Sequence, residues 1–264
     1  MYNINKLVLN NIIKYLDFFD LCRLRQVNKW LKNRVIIKYI PRKYIVNFKY
    51  FLDLEKINIC NRKDLENEDF IIDKNFKYLK KLKCSYTNIT DFRYFPNLVK
   101  LDICNNRDIT DKNISFLRNL KTLKCRYTTI TNFANFPNLE NLDIYGRRDL
   151  RNEDISCLKQ LKKLDCIYTN INNFNNFLKL EKLLIFNGIC LENKHIAHLK
   201  NLKKLDCSYN FINNFNNFLK LEKLYINDRK DLKDEDIISL KNLKKVYCYG
   251  TKITNFSDKI KFIR

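Results

Sequence analysis

Glycine and proline are almost missing from this chain, with three of each in 264 residues. That scarcity excludes glycine-rich phosphate loops, proline-rich tails and flexible Gly/Ser linkers, and it puts nearly the whole chain into regular, ordered elements. Histidine is scarcer still: His195 and His198 are the only two, and the partners of a metal site or a catalytic relay are not evident around them. No G-x-S-x-G, H-E-x-x-H or P-loop occurs. No catalytic residue, metal ligand or cofactor is therefore assigned. No apolar run approaches the roughly 18 residues of a membrane span. The opening "MYNINKLVLNNIIKYLDFF" carries polar residues throughout its apolar stretch, unlike a signal segment. There are ten cysteines but no C-x-x-C pair, so the expectation is a soluble intracellular protein with reduced thiols, cytoplasmic or nuclear.

What is present is charge and repetition. Lys and Arg number 51 against 29 Asp and Glu, a net charge of +22. A balance this basic raises nucleic acid as a partner, the alternative reading of the chain. Yet the basic residues are dispersed and mostly lysine. Residues 1–53 hold 11 Lys/Arg against 3 Asp/Glu, and no segment is an exclusively basic arm. Asn, Lys, Ile and Tyr are all abundant, as AT-rich codons produce, which points to a large DNA virus, acting in its host cell, or a protist.

Leu79, Leu120, Leu161, Leu202 and Leu243 fall at a constant spacing of 41, and Leu98, Leu139, Leu180 and Leu221 form a second series. The unit is a pair of 19 plus 22 residues, each half opening with LxxLxC or LxxLxI, as in "LKKLKC" and "LENLDI". Alternating apolar and polar residues predict a short strand with one buried face. Units of this length and opening resemble leucine-rich repeats over residues 54 to about 256, ten strands in all. The expected fold is an α/β solenoid, a right-handed superhelix of about ten short parallel strands sharing one core, because no single coil can bury its apolar side alone.

The columns of this repeat carry separate expectations. Asn67, Asp111, Asn152, Asn193 and Asp234 precede apolar residues at helical spacing and predict capped helix starts in the 22-residue half. The carboxylates that gather there, as in "DLKDEDI" from Asp231, read as complements of the helix dipole. Phe92/Phe95, Phe133/Phe136, Phe174/Phe177 and Phe215/Phe218 predict a buried spine in the 19-residue half. Cys84, Cys125, Cys166, Cys207 and Cys248 fill the sixth strand position as small buried hydrophobes.

Positions three, five and seven of each strand are expected to face the concave side. Position three is a lysine column, and position two alternates Glu140, Lys162, Glu181, Lys203, Glu222 and Lys244, which predicts cross-strand charge pairs. Positions five and seven turn apolar in the C-terminal half, at Tyr145, Ile167, Leu184, Phe186, Tyr225, Tyr247 and Tyr249. Core packing does not require apolar residues there, so they are the candidate site for a protein substrate. Tyr86, Tyr127, Tyr168 and Tyr209 recur at position eight, read as a structural spacer with base stacking as the competing role.

Residues 1–41 do not share the period. Leu9, Ile12, Ile13 and Leu16 mark one helical stripe; Asp20 can cap a second helix with Leu21, Leu24 and Val27; Trp30 and Leu31 begin or extend a third. The run Ile12-Ile13-Lys14-Tyr15-Leu16-Asp17, then Asp20-Leu21-Cys22-Arg23-Leu24, then Val27-Asn28-Lys29-Trp30 resembles an F-box. Where that family has Leu-Pro this chain has Ile4-Asn5, in the loop that meets the adaptor, and the acidic residue that usually follows is missing. The resemblance implies a three-helix F-box-like head over 1–41, a connecting segment over 42–53 and repeats over 54–264. It also implies a non-catalytic substrate adaptor of an SCF-type cullin-RING ubiquitin ligase. Ile4, Leu9, Ile12, Ile13, Leu16, Leu21, Leu24, Val27 and Trp30 would then bind a Skp-family adaptor. The bland alternative is a helical cap on a scaffold without a ligase link.

Overall fold

The computed structural model describes residues 39–40, 55–70, 76–186, 191–254 and 257–264. The chain divides into two compact units, residues 1–102 and 103–264. In the first, β1 (Tyr39–Ile40), β2 (Lys56–Asn58), β3 (Lys81–Lys83) and β4 (Lys100–Asp102) pair in parallel in chain order. In the second, β5 (Thr122–Lys124), β6 (Asn141–Asp143), β7 (Lys163–Asp165) and β8 (Lys182–Leu184) are followed by β9 (Lys204–Asp206), β10 (Lys223–Tyr225), β11 (Lys245–Tyr247) and β12 (Lys261–Ile263). These too pair in parallel, each with the next, giving a solenoid of eight turns.

β1 and β12 lie outside the ten strands that the period reveals. The reason is legible in β12: position one is Lys259 and position six Arg264, so the Leu-x-x-Leu signature is lost while Phe262 keeps position four. From β3 to β11 positions one, four and six point inward and are buried, among them Cys84, Cys125, Cys166, Cys207 and Cys248, and all eight spine phenylalanines are buried with them. Burial pushes the thiols of Cys125, Cys166 and Cys207 far above their ordinary range. They act as packing groups, each Sγ directed at a carbonyl of the next strand.

The 22-residue halves form single helical turns, α1 (Asp111–Ile114), α2 (Asn152–Ile155) and α3 (Asn193–Ile196), with 3-10 turns at Asn67–Phe70 and Asp234–Asp236. The Asn/Asp column does not cap them. The caps are Thr110, Arg151, Glu192 and Lys233, one residue earlier. The column's Oδ1 instead accepts backbone N–H groups from the following coil: Asn172 and Asn173 donate to Asn152, both at 3.0 Å. Asn213 and Asn214 donate to Asn193, Thr131 and Asn132 to Asp111, and Thr90 and Asp91 to Asn67. A parallel coil has no strand partner for these donors, so a side chain from below supplies the acceptor.

The third residue of each turn does the capping. Asn113 Oδ1 accepts the Thr110 N–H at 2.7 Å, Asp154 that of Arg151 at 2.7 Å, and Asp236 that of Lys233 at 2.9 Å. His195 Nδ1 accepts the Glu192 N–H at 3.0 Å in the same place. Neutral side chains thus do the same work as the carboxylates, and direct hydrogen bonding rather than dipole charge explains the acidic loops. Further asparagine amides tie coil to coil: Asn170 donates to Arg148 O, Asn201 to Leu178 O and Asn242 to Leu219 O. The abundance of Asn has a structural use beyond codon bias.

Two arginines escape the repeat signature. Arg147 is 2% exposed and donates to Ile130 O at 2.8 Å and Thr128 Oγ1 at 3.1 Å while pairing with Asp149; Arg229 does the same with Ile212 O and Asp231. Each pins a wide coil to the tight coil before it. Their hydrogen bonds hold the carboxyls of Asp149 and Asp231 below the usual carboxylate range.

Replacing Asn152 by Ala leaves two N–H groups without their acceptor and is expected to cost about 2 kcal/mol. Asn152→Asp, which restores the chemistry of Asp111 and Asp234, should stay within about 0.5 kcal/mol of the parent in urea midpoint measurements. Because folding lowers the Asp149 and Asp231 pKa values, their stabilisation is complete above about pH 4 and lost as pH falls through the lowered values. Denaturant midpoints followed from pH 6 to pH 2 should therefore fall less steeply in an Asp149→Asn, Asp231→Asn variant than in the parent.

Candidate functional site

Position eight of the coils is a left-handed corner. Asn61, Tyr86, Asn105, Tyr127, Tyr168, Tyr209 and Asp228 have φ between 53° and 63°, and Gly146 and Gly250 stand at 77° and 68°. Asn, Asp and Gly tolerate this backbone, whereas a tyrosine there costs roughly 1–2 kcal/mol. The corner is held from behind, since Thr87, Thr128 and Thr169 each donate Oγ1–H to the carbonyl three residues earlier, bracketing the tyrosine. The mixture of Tyr with Gly, Asn and Asp in one column was the signal that sequence reasoning missed.

The tyrosines of this column lie at or near the surface. Tyr86, Tyr127 and Tyr209 are exposed, and in the second unit the rings build a ladder with position seven of the intervening coils. Tyr127 meets Tyr145 at 6.2 Å between centroids, Tyr145 meets Tyr168 at 5.4 Å, Tyr168 meets Phe186 at 5.5 Å and Phe186 meets Tyr209 at 4.8 Å. All four contacts are edge-to-face. A Cβ on Gly146 would lie 2.8 Å from the Tyr127 ring, so only glycine lets that ring lie down. Tyr209 ends the ladder by donating its hydroxyl to Asp228.

Each of the seven residues expected to meet a substrate alternates with buried neighbours on the strand face, but they fall into separate groups. Tyr145 and Phe186 belong to the ladder, joined through Tyr168. Tyr225 and Tyr247 form a face-to-face pair at 4.0 Å with 4° between planes, and burial followed by the bond to Tyr247 pushes the Tyr225 phenol up to about 12. Tyr249 is 65% exposed and lines an open depression of about 430 Å³ with Phe186, Tyr209, Asp228, Tyr247 and Arg264. Ile167 and Leu184 are half-buried.

Charge completes the face. At position two Lys162 pairs with Glu140 at 2.9 Å, Lys203 with Glu181 at 3.1 Å and Lys244 with Glu222 at 2.9 Å, the expected cross-strand pairs. Arg126, unnoticed in the sequence, bridges Asp143 at 2.6 Å and Asp165 at 3.1 Å and lies 4.9 Å from the Tyr145 ring centroid. Burial, then the neighbouring Asp143, pushes the Asp165 carboxyl up; burial does the same to Asp206. Among the described residues no group of three His, Cys, Asp or Glu side chains is placed to hold a metal. No described helix is long and apolar enough to cross a membrane. The candidate adaptor-binding residues Ile4, Leu9, Ile12, Ile13, Leu16, Leu21, Leu24, Val27 and Trp30 lie outside the described residues.

Comparison with known proteins agrees with both halves of the sequence. Residues 2–33 match the family model of the F-box domain. No curated protein sequence matches significantly. The solved internalin InlF from Listeria monocytogenes is similar in structure, at 19% identity and a TM-score of 0.52, with 81% of this chain and 75% of that one covered. Internalin C2 from the same organism is 23% identical with a TM-score of 0.50, covering 64% and 80%. These likenesses establish the fold. With an F-box match ahead of a parallel-strand solenoid, the chain has the make-up of an F-box/leucine-rich-repeat protein.

Proposed function

We propose that the protein is a non-catalytic adaptor that selects substrates for an SCF-type ubiquitin ligase, working in the cytoplasm or nucleus. A head within residues 1–41 docks a Skp-family adaptor, residues 42–53 connect, and the repeats of 54–264 hold a protein substrate. The observation that carries the reading is the F-box match at residues 2–33 in one chain with a solenoid whose strand face displays aromatic and apolar side chains that the core does not use. Rigid coils hold a bound protein in a fixed place, so a separate transfer enzyme gains from proximity rather than from any group on this chain. Tyr145, Ile167, Leu184, Phe186, Tyr225, Tyr247 and Tyr249 are the proposed substrate contacts. Their aromatic content is that of an interface centre.

Nucleic acid is the weaker reading. Base stacking needs open ring faces, and in the ladder each contact sets the edge of one ring against a face of its neighbour, which leaves fewer faces open.

The test is co-purification of the full chain with a Skp-family adaptor, compared with a Leu16→Arg, Trp30→Ala variant. The parent should capture the adaptor and the variant should lose it, with the melting temperature of the repeats unchanged. Equal capture by both, or none by the parent, would overturn the ligase reading and leave a helical cap on a scaffold.

A further inference from the structure

At strand position three β7–β12 carry an unbroken lysine row, longer than the one that Lys56, Lys81 and Lys100 form on β2–β4. Lys163, Lys182, Lys204, Lys223, Lys245 and Lys261 stand in register on consecutive parallel strands. With strands ~4.8 Å apart, these like charges are lined up over roughly 24 Å. Like charges directly opposite one another destabilise a sheet. The adjoining position-two row shows the alternative, Glu against Lys on successive strands. Along position three no lysine is paired in that way: among the described residues none of the six makes an ion pair, and Asp165 acts on Lys182, and Asp206 on Lys204, only at longer range. Lys204 is turned onto Tyr225, its Nζ 3.1 Å from the hydroxyl and 4.4 Å from the ring centroid. Burial, then the charge of Lys204, holds the Lys182 ammonium below its ordinary range. A row of six ammonium groups that opposes folding and has no ion-paired counter-charge is suited to receiving more from outside.

We infer that this face docks an acidic protein segment, its carboxylates meeting the lysine row and its apolar side chains resting on Ile167, Leu184 and Phe186 beside it. The inference deepens the reading of the repeats as a substrate-binding region by naming the chemistry of what they bind. Charge complementarity selects an acidic occupant. The next row selects protein over nucleic acid: Asp165 and Asp206 stand two residues further along the same strands. A polyphosphate carries a charge at every residue and cannot avoid them, whereas a polypeptide can place a neutral or apolar residue there. Ile167, Leu184 and Phe186, half-buried around those carboxylates, suit a segment that alternates acidic and apolar residues.

Fluorescence anisotropy with the full chain tests this using three labelled probes: a decapeptide of alternating Glu and Leu, a decapeptide of Glu alone, and a ten-nucleotide oligo-dT. The Glu/Leu peptide should bind tightest. A Lys163→Gln, Lys182→Gln, Lys223→Gln variant should bind it about tenfold more weakly. The same variant should melt at or above the parent's temperature, since like-charge repulsion is relieved. Oligo-dT binding as tightly as the Glu/Leu peptide would overturn the inference in favour of nucleic acid. Equal affinity for the two peptides would remove its apolar half. Unchanged binding, a lower melting temperature, or a dimer seen in sedimentation that the substitutions dissolve would each sink it, assigning the lysines to no role, to the fold or to a second copy. No adaptor takes part, so failure here and failure of the F-box head are read separately.

Discussion

The structure depends on one recurring hydrogen bond, in which a side-chain oxygen of one coil accepts the backbone N–H groups of the next. Three-residue strands satisfy only a small part of each coil's main chain. On the descending side there is no ladder, and the Asn/Asp column takes over at Asn67, Asp111, Asn152 and Asn193. Leucines and phenylalanines supply the apolar burial that holds the stack together. They are non-directional, and it is the amide and carboxylate contacts that set how far each coil turns relative to its neighbour. The chain manages with few glycines because Tyr, Asn and Asp occupy most of its left-handed corners.

Electrostatics divides the strand face into rows with different purposes. The Glu/Lys alternation at position two is neutral within itself and belongs to the fold. Arg126, set between Asp143 and Asp165, does the same locally. The lysines at position three and the rings at positions seven and eight do not serve the core, and the strained corners under Tyr127, Tyr168 and Tyr209 cost stability. Features that oppose folding are clustered on one face, the face assigned here to recognition.

The repeat, the inward columns and the phenylalanine spine were legible because each is a one-dimensional pattern that survives averaging over coils. The end strands were not, since β12 keeps only Phe262 of the three inward positions. The role of the Asn/Asp column was misread because a residue before an apolar helical spacing suggests a cap for its own turn, and sequence gives no sign that its acceptor serves a segment 20 residues later. Arg147 and Arg229 were hidden for a related reason: their partners, Ile130 and Ile212, lie 17 residues back, and a buried guanidinium is not expected from an exposed-looking "RRD" or "RKD". At the candidate site the grouping of the rings was not legible, because rings at positions seven and eight touch only once the coils are stacked.

The aromatic ladder alternates in a strict way. A ring comes from position eight of one coil and from position seven of the next, with Gly146 vacating the corner between Tyr127 and Tyr168. Two tandem copies of a single coil would set tyrosine corner against tyrosine corner, with no slot between them. A duplication that keeps the ladder unbroken would therefore copy the 41-residue doublet, adding strand face two strands at a time.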